Sequence, residues 1–199
     1  MARLTLPGLC VVLVYSGFVA SSAAASPIWL VAGSAPSPGE TVTGSASNAK
    51  FNISGLITTC STTSLEMEIE NVGAIGEGEV TDMTFSGCST DGKCTVEAIG
   101  SEGLPWPLHL TRISNADYVV VKGIEIVVVY GNEECALYET EVLIDGSAGG
   151  LFTGGSPASL AFSPSNFTST GTKLLTFGNG LNWSAAFSLT APGGALSIG

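Results

Sequence analysis

The stretch Leu65-Glu66-Met67-Glu68-Ile69-Glu70 alternates strictly between apolar and acidic side chains. At a period of two, Leu65, Met67 and Ile69 share one face and the three glutamates the other, as in a half-buried strand. A helix would scatter the charges around its circumference. Short apolar runs at 51–57, 80–85, 94–99, 108–113, 118–130, 136–144 and 181–189 also read as strands. Most are separated by turn-forming clusters: Gly76-Glu77-Gly78, residues 100–103, Ser114-Asn115 and Gly131-Asn132. This cadence predicts an all-β chain, a single antiparallel β-sandwich or barrel-like domain.

Inside the longest run, Lys122-Gly123 separates two valine- and isoleucine-rich halves, so a bulge or hairpin is expected at Gly123. Ile126-Val127-Val128-Val129 does not alternate and reads as a central strand buried on both faces. Residues 145–159, rich in glycine and serine, read as a long surface loop. The β domain is placed at 49–190. Residues 26–48 are expected to be a loosely ordered N-terminal segment and 191–199 a flexible tail. No internal repeat stands out.

The first residues change the picture. Arg3 precedes an apolar stretch through Leu9 and Val11 to Val14, then Phe18 to Ala20, and small residues follow to Ala25. A basic start, an apolar core of about a dozen residues and an Ala23-Ala24-Ala25 site before Ser26-Pro27 predict a signal peptide over 1–25, cleaved near Ala25. The core is too short to span a bilayer, which takes about 20 apolar residues, and no later run reaches that length, so no transmembrane segment is expected in the mature chain. The apolar run follows Cys10, and Pro7-Gly8-Leu9 before it argues against lipid attachment. The expected location is secreted or cell envelope.

Composition points the same way. Seventeen acidic residues against six basic give a formal charge of −11, and Arg3 leaves with the leader. Such a chain repels polyanions and has no basic patch, so nucleic acid is not an expected partner. Four cysteines remain after the leader: Cys60, Cys88, Cys94 and Cys135. An even number in an exported chain reads as two disulfides. Asp91-Gly92 lies midway between Cys88 and Cys94, and a tight hairpin there would pair Cys88 with Cys94, leaving Cys60 with Cys135. No Cys-x-x-Cys pair occurs and His109 is the only histidine, so no zinc site is expected.

Candidate chemistry is sparse. The acidic set Glu66, Glu68, Glu70, Glu77, Glu79 and Asp82 invites a calcium reading. However, glutamates two apart project in parallel from one strand face, whereas calcium needs oxygens converging from loops. They read as a solvated face. His109 is the one candidate imidazole base, but no Gly-x-Ser-x-Gly elbow accompanies it, and from its strand it should face solvent. No catalytic residue, metal or cofactor is assigned. Trp106, held between Pro105 and Pro107, and Trp183 are the ligand-binding candidates: each could stack on a sugar ring, or Trp106 could plug one end of the domain. Asn52, Asn166 and Asn182 begin glycosylation sequons, relevant only in a eukaryotic host.

The run Met83-Thr84-Phe85-Ser86-Gly87-Cys88, followed by Cys94-Thr95-Val96, Leu104-Pro105-Trp106 and a β-rich stretch to Cys135, resembles a group of uncharacterised exported β-rich proteins from actinobacteria. The resemblance spans about residues 50–190, and it implies a bacterial envelope or secreted setting without supplying an activity. The expected function is that of a noncatalytic exported β protein in a structural or binding role. The alternative is a carbohydrate-binding module or hydrolase-like enzyme using exposed aromatics and carboxylates, with glycan in the envelope as a possible contact.

Overall fold

A computed structural model describes residues 26–53, 55–135, 141–163 and 182–199. The expected signal peptide, residues 136–140 of one expected strand and the Asn166 sequon lie outside them. Among the described residues every element is a strand: β1 (Trp29–Val31), β2 (Glu40–Ile53), β3 (Leu56–Val72), β4 (Ile75–Thr90), β5 (Thr95–Glu102), β6 (Trp106–Ile113), β7 (Ala116–Gly131), β8 (Glu141–Thr153), β9 (Ala158–Phe162), β10 (Asn182–Thr190) and β11 (Leu196–Ile198). Eight of them, in the order β7-β6-β4-β3-β2-β10-β9-β8 and back to β7, close an antiparallel barrel. Of the two expected architectures, it is the barrel that forms.

The alternation in β3 does what its period requires. Leu65, Met67 and Ile69 are buried in the barrel core, while Glu66, Glu68 and Glu70 line the outside. The same inside-apolar, outside-polar pattern recurs in β2, whose outward positions include Thr43, Ser45, Ser47 and Lys50. It is the reverse of the apolar belt that a lipid-facing barrel presents. Phe51, Trp106, Tyr130, Ile144, Leu160 and Trp183 help fill the interior. The void among Leu65, Met67, Trp106, Phe162 and Trp183 is only about 10 Å³, at the lower limit of what one water needs.

Several strands run longer than the sequence suggests because irregularities bend them instead of ending them. The register of β7 against β8 shifts between Val121 and Ile124, and Gly123 adopts φ +65, so the expected interruption there is a bulge. In Ile126-Val127-Val128-Val129 only Ile126 and Val128 are fully buried, so this stretch is covered on its inner face and half-covered outside, not buried on both faces. Ser114 and Asn115 both have positive φ and form the two-residue turn joining β6 to β7.

Residues 145–159 are not a loop. Most of them belong to β8, and their small side chains serve the interior: a Cβ on Gly150 would stand 2.5 Å from Leu160 Cδ1. The expected loose ends are ordered as well. β2 begins at Glu40, and β1 pairs with β11 in a small second sheet, Trp29 opposite Ile198 and Val31 opposite Leu196. That sheet seats Trp29 fully buried against Phe152, ring centroids 5.6 Å apart and edge to face. The backbone of Trp29 exchanges two hydrogen bonds with the Asn71 amide (2.8 and 2.9 Å), and its indole N–H donates to the Glu77 carbonyl (3.0 Å). Trp29, rather than Trp106, plugs the barrel end.

Both disulfides differ from the expected pairing: they join Cys60 to Cys88 and Cys94 to Cys135. Cys60 and Cys88 are directly opposed on the paired strands β3 and β4. The expected Cys88 to Cys94 hairpin fails because Asp91 is engaged elsewhere. Its N–H donates to the Ile57 carbonyl (3.1 Å) and its carboxylate accepts from the Ile57 N–H (3.0 Å), which ties the turn back onto β3.

Candidate functional site

The outer face over β3, β4 and β6 collects the acidic set. Antiparallel pairing sets Glu66 opposite Asp82, Glu68 opposite Glu79 and Glu70 opposite Glu77, while Thr41 of β2 faces Glu68. Like charges directly opposed across a ladder stand with Cβ atoms about 4.5–5.5 Å apart and repel. Four of these glutamates, with Gly39, Ile69 and Gly78, line a shallow recess of about 220 Å³. Among the described residues no group of three or more His, Cys, Asp or Glu is arranged to hold a metal ion. The face is acidic and solvated, and its shape is that of a strand surface.

His109 lies at the edge of this face, opposite Glu77 on one side and Val120 on the other. Its cross-strand neighbours thus include no nucleophile. Partial burial pushes the imidazole below its usual range, Lys122 adds to that effect, and Glu77 acts in the opposite direction. The half-buried ring is less open to solvent than its strand position suggests.

The two tryptophans expected to meet a ligand are core residues. Trp106 and Trp183 are each 1% exposed, so neither offers a ring face to a sugar. Trp106 donates its indole N–H to the Glu102 carbonyl (2.8 Å) and lies opposite Val80. Trp183 is stacked on Phe162 at 4.6 Å and on Phe51 at 6.1 Å, and its indole N–H has no hydrogen-bond partner among the described residues. Trp106 lies inside the barrel while Pro105 and Pro107 beside it are exposed.

A feature that sequence reading missed lies between β4 and β5. β5 and β6 run one after the other along the same edge of β7, Glu102 opposite Glu125 and Leu108 opposite Val121. β6 also pairs with β4, but only over Glu77 to Val80; beyond Val80 no backbone ladder joins β4 to β5. Two side-chain bonds clasp the ends of this seam: Ser101 Oγ donates to the Met83 carbonyl (2.7 Å), and Thr90 Oγ1 donates to the Cys94 carbonyl. Between the clasps is an open groove of about 310 Å³, with Phe85, Ser86, Gly87 and Cys88 on one lip and residues 96–99 on the other. The only hints in the sequence are Gly87 and Glu97. Gly87 takes φ +59 with Ser61 packed beneath it, and the β5 register slips around Glu97.

Comparison with protein-family models, with curated proteins and with solved structures finds no match for this chain. Fold and surface define its class: a closed antiparallel β-barrel, filled inside and stapled by two disulfides.

Proposed function

We propose that this protein is an exported, noncatalytic β-barrel of the cell envelope or extracellular medium that acts through contacts on its outer surface. The observation that carries the reading is the filled interior. Among the described residues the core void lined by Leu65, Met67, Trp106, Phe162 and Trp183 is about 10 Å³, far smaller than a small-molecule site, which favours binding on the exterior. The two disulfides suit an oxidising compartment, and the signal-peptide pattern over 1–25 supplies the route. The resemblance to exported actinobacterial proteins is consistent with that setting.

Fractionation of the native host followed by N-terminal sequencing tests the export half: the expected mature start is at or near Ser26, and exported protein retaining Met1 would refute it. A glycan array, run with and without calcium, tests the carbohydrate alternative. With Trp106 and Trp183 buried, no saturable glycan binding is expected.

A further inference from the structure

We propose that Asp91-Gly92 is a site of spontaneous covalent modification, at which the exposed turn after β4 converts through a cyclic imide into an isoaspartyl linkage and lets go of β3. The inference goes beyond the reading of outer-surface contacts and does not depend on where the protein is located.

The chain contains two Asp-Gly pairs, Asp91-Gly92 and Asp145-Gly146, and their composition alone does not separate them. Glycine after aspartate leaves the next backbone nitrogen open to the carboxyl carbon, because no side chain shields it. The fold treats the two pairs differently. Asp145 and Gly146 lie inside β8, opposite Glu125 and Ile124 of β7, so their backbone is fixed in a ladder. Asp91 and Gly92 are exposed and lie between β4 and β5, outside any strand.

The way Asp91 is held leaves the reacting nitrogen free. In an antiparallel pair that exchanges two hydrogen bonds, each residue uses its own N–H and C=O. Asp91 donates its N–H to the Ile57 carbonyl (3.1 Å), but the bond returned by the Ile57 N–H falls on Asp91 Oδ1 (3.0 Å). The carboxylate takes the place of the main-chain carbonyl, and the peptide unit joining Asp91 to Gly92 stays out of the ladder. Among the described residues the Gly92 N–H has no hydrogen-bond acceptor.

Gly92 N can therefore attack Asp91 Cγ. A C–N bond forms, and the carboxyl group, protonated from solvent, loses its hydroxyl, which leaves with the amide proton as water. Hydrolysis of the imide adds a water back, and opening at the former main-chain carbonyl leaves the chain running through Cγ, with no net change in atoms or electrons. The turn is then one backbone atom longer, and its free carboxylate sits on Cα instead of Cβ, too short to keep the tie to Ile57. Cys88 and Cys94 on either side are bonded to Cys60 and Cys135, so the change stays within the turn.

Ageing the disulfide-intact chain in neutral buffer made with heavy-oxygen water, followed by reduction, digestion and mass spectrometry, reads the modification, since imide hydrolysis inserts a heavy oxygen at the reacting residue. The peptide carrying Asn179-Gly180, outside the described residues, is scored separately. Residue 91 should take up label and convert to isoaspartate at least about tenfold faster than residue 145, which must wait for local opening of its ladder. Gly92→Ala should suppress conversion at residue 91 and keep the fold: Gly92 is not in the left-handed region, and a Cβ there meets only Leu56 Cδ1, at 3.3 Å. Asp91→Glu should suppress it too, because closure would require a larger ring. In the aged protein, amide hydrogen exchange should speed up at Ile57 and stay unchanged in β7 and β8. Equal rates at residues 91 and 145, no conversion at residue 91 over a time in which the reduced, unfolded chain converts, undiminished conversion in either variant, or an unaltered Ile57 amide after conversion would each overturn the assignment.

Discussion

Trp29 is the side chain on which the ordered termini depend, so its removal should be felt far from residue 29. The ring is fully buried, and its indole N–H donates to Glu77. Trp29→Ala removes the largest plug at the barrel end and should cost about 3–5 kcal/mol. Trp29→Phe keeps most of the ring and loses the hydrogen bond, for about 1 kcal/mol plus a small packing term. Because β1 is held by β11, deleting residues 196–199 should destabilise through the same contact. Trp29→Ala in the truncated chain should then cost clearly less than in the full one, a coupling of about 1 kcal/mol or more. Urea unfolding of the disulfide-intact protein, followed by tryptophan fluorescence and circular dichroism together, measures all four corners of the cycle. A Trp29→Ala cost below about 1 kcal/mol, or strict additivity with the truncation, would refute the plug.

The disulfide loops enclose separations of 28 and 41 residues, so the chain-entropy relation assigns each bridge about 3.5–4 kcal/mol; Cys60→Ala/Cys88→Ala and Cys94→Ala/Cys135→Ala should lower stability almost equally. Nonreducing peptide mapping checks the premise, since a fragment linking Cys88 to Cys94 would contradict it. Thr63 is fully buried and its hydroxyl has no partner among the described residues, so Thr63→Val should stabilise by about 1 kcal/mol in thermal or urea unfolding. With its folded pKa depressed, His109 binds a proton more readily in the unfolded chain, so its contribution is present above the unfolded value near 6.5 and is lost as pH falls through that value and the folded one. His109→Gln should flatten the stability profile between about pH 5 and 7. Glu79→Gln relieves the repulsion opposite Glu68 and should raise stability by about 0.2–1 kcal/mol, while millimolar calcium should leave the melting temperature of the parent unchanged.

Period-two patterning made the inside and outside of β3 readable, because one face of each strand meets a core and the other meets water. The same reasoning went astray wherever a small residue had two possible uses. Glycines at 146–155 read as a loop, yet Gly150 is small because Leu160 and Phe162 occupy the space where its side chain would be. Asp91-Gly92 read as a hairpin turn that would join its own two strands, but a long-range bond to Ile57 decided the pairing. Trp106 and Trp183 were legible as large aromatics, though the side of the sheet they face was not. The seam was least legible of all, since it consists of hydrogen bonds that are not made and no residue type encodes their absence.

The order of the two bridges along the chain bears on how the protein is assembled. Cys60 pairs with Cys88 before Cys94 is reached, and Cys94 pairs with Cys135 afterwards, so the two covalent loops follow one another without overlapping. A polypeptide oxidised while it emerges N-terminus first would meet each correct partner as the next thiol in line, and would need no isomerase to exchange an early wrong bond for a later right one. The β3–β4 ladder forms between neighbours in sequence and would already hold its sulfurs together at that stage. Closing the barrel through β7 and β8 is then left as a step that follows oxidation and does not depend on rearranging it.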